Sequence, residues 1–245
     1  MTDCSQSPPH RFYDADLLPP APADSWRRWR VRLILWALVA AAFALALRYD
    51  VTLMQWRYAV WPEGPKGILK QIFYGFRDFA QVVPIVTALL IIARMDKRRW
   101  TIITTVLVAQ LLGGLMYNTG KLTVLRYRPQ EAVEQVESVD QLDQVHTWAG
   151  LACGNREHAT QSFPSGHSAG AFALAGVLAW FYPRLAGIFW VLAVGCGVSR
   201  YADAVHWPSD VVAGAVIGYL GAWLALRPYV WTIPSRIVRR ASGEV

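Results

Sequence analysis

One twelve-residue stretch, Ser199-Arg200-Tyr201-Ala202-Asp203-Ala204-Val205-His206-Trp207-Pro208-Ser209-Asp210, places an arginine, a histidine and an aspartate between two apolar runs. An imidazole can attack phosphorus when one ring nitrogen keeps its lone pair free, and a carboxylate on the other nitrogen fixes that tautomer. Asp210 follows His206 by four residues, about one helical turn, and Pro208 suits the first turn of a helix, so Asp210 can reach back to the ring. By itself the stretch also fits an interfacial His-Trp pair at a helix end, with Asp210 as a plain cap.

Two further clusters bear on that choice. Lys121 and Arg128 stand seven apart, so a continuing helix would put both on one face, with Pro129 ending it and Arg126 off that face. Three such cations also fit snorkelling toward lipid head groups. In Phe163-Pro164-Ser165-Gly166-His167-Ser168, a Ser-Gly turn enters an apolar run. Such an entry exposes unpaired backbone N–H groups and the positive end of a helix dipole, a ready anion site. Ser165 can cap the helix or donate to a phosphate oxygen, Gly166 lets backbone approach closely, and His167 stands at the mouth.

The elements that must carry these clusters are membrane spans. The 245 residues are 54% hydrophobic with 12 Trp, and only 17% are charged, below the roughly 25% of soluble domains. Mean hydropathy is +0.26. The net charge of +7 is dispersed between apolar runs rather than gathered on a basic module, which argues against a nucleic-acid partner. Cys4, Cys153 and Cys196 lie far apart and form no CxxC pair, so neither a disulfide framework nor a zinc site is expected, and no carboxylate cluster suggests magnesium or calcium.

Apolar runs at 31–47, 79–93, 100–117, 168–182, 185–198 and 211–226 predict an all-α, polytopic bundle of about six transmembrane helices, with short interfacial helices outside it. Residues 1–30 read as a polar, disordered cytoplasmic tail, 31–228 as the membrane domain and 229–245 as a basic cytoplasmic tail. Ala44-Leu45-Ala46 resembles a leader-cleavage site, but the polar lead before the first run is long for a leader, so a retained first span is expected. Residues 68–79 fit either an interfacial helix or a connecting loop. Gly214 and Gly218 are spaced for close helix packing inside the bundle.

An insert at 130–163 begins acidic, and Val133, Val136, Val139 and Leu142 recur at three-residue steps that suggest a short amphipathic helix. Arg27, Arg28, Arg30 and Arg32, the basic loop at 94–99, Arg184 and the tail arginines fall on one side of a six-span plan, which should be cytoplasmic. All three chemistry-bearing clusters then emerge on the other side of a cell (inner) membrane.

Lys121-x6-Arg128-Pro129, Pro164-Ser165-Gly166-His167 and Ser199-Arg200-x5-His206-x3-Asp210 resemble, without a gap, the three signatures of the type 2 phosphatidic acid phosphatase superfamily. The motifs cover little of the chain, but their order, spacing and placement beside spans are jointly specific. The resemblance implies a metal-independent lipid phosphatase without cofactor. His206 would form a phosphohistidine, Asp210 would orient it, and His167 would protonate the leaving group and then activate water. Lys121, Arg128 and Arg200 would hold phosphate oxygens, helped by Ser165 and the backbone at Gly166. His10, His146 and His158 match no signature position and are expected to face solvent.

The function expected is hydrolysis of a lipid phosphate or diphosphate at the outer face, with a polyprenyl diphosphate (undecaprenyl diphosphate in particular) as the leading substrate. Phosphatidylglycerophosphate, phosphatidic acid and lipid A are the alternatives. Transfer to an acceptor lipid would use the same site. Vanadate-dependent halide oxidation, also found in the superfamily, belongs to soluble proteins and fits these apolar runs poorly. A non-enzymatic binder of anionic lipid would need the cations but not two histidines and an aspartate in register. Oligomeric state is not encoded legibly.

Overall fold

The computed structural model describes residues 25–151 and 157–241, and the expected tail falls outside them as far as residue 24. Helix α1 (Ser25–Val60) leads into α2 (Gly67–Asp78), α3 (Val82–Met95) and α4 (Arg99–Thr123), followed by strand β1 (Val124–Arg126) and α5 (Pro129–Val133). A 3₁₀ turn (Val139–Gln144), strand β2 (Trp148–Leu151) and a second 3₁₀ turn (His158–Thr160) return the chain to α6 (Gly166–Phe181). Helices α7 (Ala186–Ala202) and α8 (Pro208–Ala241) complete a multi-pass, all-α membrane bundle.

Among the described residues, four helical segments are long and apolar enough to cross a membrane: Leu33–Val60, Arg99–Thr123, Pro183–Ala202 and Pro208–Arg227. The pair α2–α3 qualifies as a fifth, bent by 58°. Helix α6 has 16 residues, or about 24 Å, short of the ~30 Å hydrocarbon core. It is apolar on every side because protein, not lipid, surrounds it: Ala169, Ala171, Ala173, Leu174, Ala175 and Val177 are all buried. Helices α4, α7 and α8 pack around it. The α8 contact is close because Gly214 and Gly218 lack a Cβ, which would collide with the carbonyl oxygens of Ser165 and Ala169. That interface brings the first turn of α8 against the first turn of α6.

Three departures from the sequence expectation matter for the site. The first helix does not end near residue 47 but runs to Val60; Arg57 is buried and donates to the carbonyls of Ala202 (2.8 Å) and Trp61 (3.0 Å). The α4 helix does not continue to Arg128: it ends at Thr123, and Pro129 opens α5 instead of ending a helix. The reason is tertiary. The insert returns alongside, so β1 pairs antiparallel with β2, Tyr127 N donates to Thr147 O (2.9 Å) and Arg128 N to Ala159 O (3.0 Å). Those bonds replace the helical ones. The expected single amphipathic helix is split between α5 and the first 3₁₀ turn; its three-residue spacing suits a helix of three residues per turn. Leu142 is nevertheless buried with Met54, Ala132, Ala204 and Trp207 in an apolar cluster at this end of the bundle. Residues 68–79 are helical rather than a loop, lying within α2 as far as Asp78, and α2 packs on α7.

Candidate active site

The site gathers at one end of the bundle, where α4 and α7 finish and α6 and α8 begin. After Ala202 the chain turns through hydrogen bonds from Asp203 N to Ser199 O, Ala204 N to Tyr201 O and Val205 N to Arg200 O (2.9, 2.9 and 3.2 Å). Ala204 takes the left-handed conformation (φ 53°), costly for a residue with a Cβ, and it is buried in the apolar cluster that holds the turn in place. Pro208 then starts α8, and Asp210 Oδ2 accepts from Trp207 N (3.0 Å). The plain-cap reading of Asp210 is therefore correct as far as it goes.

The carboxylate does more than cap. Its Oδ2 also accepts from Ser162 Oγ (2.6 Å) and lies 3.7 Å from His206 Nδ1. That separation is beyond a hydrogen bond, and Nδ1 is buried with no hydrogen-bond partner among the described residues. Burial pushes the His206 pKa down to about 4, against the opposing pull of Asp210. At neutral pH the ring is therefore uncharged. With Nδ1 turned to the carboxylate, Nε2 is the nitrogen that remains to face the site.

Asp210 Oδ1 takes a hydrogen bond from Arg126 at 2.5 Å. Arg126 is 1% exposed. The same guanidinium donates to Ser209 Oγ (2.7 Å) and to Asp50 Oδ2 (2.6 Å), and Asp50 Oδ1 accepts from Ser209 N (2.9 Å). Trp148 and Trp207 flank it, with ring centroids 4.1 and 5.2 Å from its central carbon. The sequence reading set Arg126 aside on helical geometry and did not single out Asp50, Ser162, Ser209 or Trp148. The one signal available was Asp50 itself, a carboxylate just past an apolar run on a helix that nothing interrupts before Pro62.

The cations form a second group. Lys121 on the last turn of α4, Arg128 before α5 and Arg200 on the last turn of α7 lie within electrostatic reach of one another, and Lys121 and Arg128 also reach His206. Arg128 is clamped to the backbone, donating to the carbonyls of His158, Val205 and Gln161 (3.1, 3.3 and 3.4 Å). Burial, then the like charge of Arg200, lower its pKa below the usual guanidinium range. Arg200 pairs with Asp203 at 3.1 Å, and its buried Nε has no hydrogen-bond partner among the described residues. Like charges held this close to unpaired donors are stabilised by an anion lying between them.

Helix α6 aims its N-terminus at this group. Ser165 is its N-cap, accepting from Ser168 N (3.4 Å) and Ser168 Oγ (3.0 Å), so here the capping alternative holds. Ser165 N donates to Asp210 O (3.0 Å), joining the two helix starts. Gly166 and His167 follow as the first helical residues, and His167 is half-buried within reach of Arg200, His206 and Lys121. The fold thus brings together all eight residues expected at the site. His146 and His158 are exposed, as expected, although the His158 carbonyl holds Arg128; His10 lies outside the described residues.

Comparison with known proteins gives partial matches on both sides. The chain is 37% identical over 73 residues to the Bacitracin transport permease protein BcrC of Bacillus licheniformis, which covers 30% of this chain and 34% of that protein. It is 31% identical over 118 residues to the Lipid A 1-phosphatase of Rhizobium johnstonii, covering 47% of this chain and 42% of that one. The match therefore spans about a third to two fifths of the length of these relatives. Among solved structures, LpxE of Aquifex aeolicus is similar with a TM-score of 0.49 and 24% identity, over 66% of this chain and 88% of that one. The family model described as the PAP2 superfamily matches residues 98–233, more than half of the chain and the whole of the cation group, both histidines and Asp210. The chain belongs to the PAP2 superfamily.

Proposed function

We propose that this protein is a membrane phosphatase that removes phosphate from a lipid through a phosphohistidine on His206. The observation that carries the reading is a buried His206 whose Nδ1 lies 3.7 Å from a fixed carboxylate, beside a group of three cations. Burial, then Arg200, pushes the His167 pKa down to about 4 in the free site. The bound phosphate anion offsets the neighbouring cations, and His167 takes up a proton. Nε2 of His206 attacks phosphorus while the bond to the lipid oxygen breaks, and His167 delivers that proton to the oxygen. The ring turns cationic as the N–P bond forms, and Asp210 stabilises it across the present 3.7 Å. His167 then takes a proton from water, the water oxygen attacks phosphorus, and the N–P bond breaks to release phosphate. Lys121, Arg128, Arg200 and the N–H groups of Gly166 and His167 hold the non-bridging oxygens through both steps. Side chains and backbone N–H groups supply this chemistry, so chelators should not slow it.

The substrate is a phosphorylated lipid whose head group lies at the non-cytoplasmic face, the orientation favoured by the distribution of basic residues. Similarity to proteins named lipid A phosphatases moves a lipid A phosphate ahead of the polyprenyl diphosphate expected from sequence alone. Phosphate release from lipid A, polyprenyl diphosphate, phosphatidylglycerophosphate and phosphatidic acid by detergent-purified protein, with chelator present and beside His206→Ala, tests both parts. Turnover of one substrate that is lost in the variant supports the reading. Turnover that survives in the variant refutes the nucleophile, and silence across the panel from folded protein refutes hydrolysis and calls for acceptor lipids.

A further inference from the structure

The closed cluster behind His206 contains one more charge than orientation requires. Asp210 needs only one donor to hold its angle, and Ser162 Oγ and Trp207 N already provide two. Arg126 adds a full positive charge at 2.5 Å, in a place that excludes water. Alone, that guanidinium would cancel the negative charge that the imidazolium needs beside it. Asp50 lies 2.6 Å from the other arm of the same guanidinium and is 3% exposed. With both carboxylates ionised, the cluster sums to a net charge of −1.

We propose that Asp50 and Arg126 are positioning residues that set the charge presented to His206: Arg126 lets two carboxylates stay ionised in one buried cluster, and Asp50 keeps Arg126 from neutralising Asp210. The inference rests on the phosphohistidine reading above and adds to it a role for the first helix. Attack by Nε2 leaves one positive charge on the ring, and the cluster carries one negative charge to meet it. Asp50 and Arg126 are closed off from solvent, at 3% and 1% exposure, and both arms of the Arg126 guanidinium are already engaged by Asp210, Ser209 and Asp50, so they act through Asp210. Ser209 closes the cluster by accepting from Arg126 and donating to Asp50 through both its hydroxyl and its backbone N–H. Trp148, supplied by the insert, covers the guanidinium from one side. The insert therefore helps build the nucleophile's charge environment whatever it does for substrate choice.

Charge arithmetic makes the idea separable from simple structural support. Asp50→Asn brings the cluster to zero, Arg126→Gln to −2, and the double variant returns it to −1. Full-length protein in detergent would be assayed on the lipid that the natural chain turns over, with kcat, KM, inhibition by inorganic phosphate, and phosphohistidine trapped by alkaline quench. Each single variant is expected to lose about 10- to 100-fold in kcat and in phosphohistidine formation, with KM and phosphate inhibition unchanged within about threefold. The double variant should recover roughly tenfold over the slower single variant. A double variant no faster than either single one, or losses confined to KM, would overturn the proposal. If the single variants do not fold, the double variant is compared with Asp210→Asn, and a double variant that is no faster also overturns it. A natural chain that forms no phosphohistidine removes the underlying reading and this inference with it, whereas normal phosphohistidine chemistry without charge compensation removes this inference alone.

Discussion

Two groups of charge adjoin His206, and they are built on opposite plans. Behind the ring, Arg126, Asp50, Asp210, Ser162 and Ser209 satisfy one another almost completely; of the guanidinium nitrogens only Arg126 Nε lacks a hydrogen-bond partner among the described residues. In front of it, Lys121, Arg128 and Arg200 repel one another, and Arg200 Nε is left without an acceptor among those residues. A closed network of mixed charge holds its shape without a ligand, because each buried charge in it already has an opposite charge in contact. An open group of like charge is incomplete until an anion arrives. In the proposed mechanism the first group fixes geometry, and the second supplies binding that strengthens as charge builds on a transferring phosphoryl group.

The sharpest way to break this contrast is at the ring between the groups. His206→Ala should lower phosphate release by about 1,000-fold or more while membrane insertion and thermal unfolding stay near those of the natural chain. Removal of a cation comes next: Arg200→Ala should cost about 100-fold in kcat/KM and weaken inhibition by inorganic phosphate, which titration of activity would show. The same inhibition constant measured in Ser162→Ala should hold steady while kcat falls by a smaller factor, about tenfold, because that hydroxyl touches the carboxylate and not the anion.

Acidity gives a subtler test. The folded chain holds His206 neutral down to about 4, whereas the ordinary value is 6.5. Between those values the unfolded chain binds more protons, so stability rises with pH across the window and declines as pH falls through it. Burial holds the His167 pKa at about 4 as well. Thermal midpoints from pH 7 to pH 4 should therefore slope downward toward acid, and His206→Gln should reduce the slope by about half; an unchanged slope in that variant would assign the effect elsewhere. The smallest effect concerns the cover over the closed group. Trp148→Ala removes one face of the guanidinium sandwich and should cost about 1–2 kcal/mol in unfolding free energy, with KM unaltered.

The bundle and the open group were legible because both depend on local pattern. Apolar runs of near-span length and basic residues between them specify helices and their alternation, and the glycine spacing at Gly214 and Gly218 announces a close contact. Lys121, Arg128, Ser165, Gly166, His167, Arg200, His206 and Asp210 sit beside helix ends, where residue type and offset already suggest a role. Helical extrapolation failed between residues 123 and 129, and with it the exclusion of Arg126. A strand of three residues has no periodic signature, and β1 exists because a partner 25 residues later supplies its hydrogen bonds.

By itself, then, the sequence determined which residues could handle a phosphoryl group and that they would lie at span ends. Only the tertiary structure decided what stands behind His206. Asp50, Arg126 and Asp210 are separated by 76 and 84 residues, and no local rule relates them. Their pairing follows from the cost of burying a charge without its opposite: once α1, β1 and α8 pack at the same end, each of these groups is stable there only beside the others.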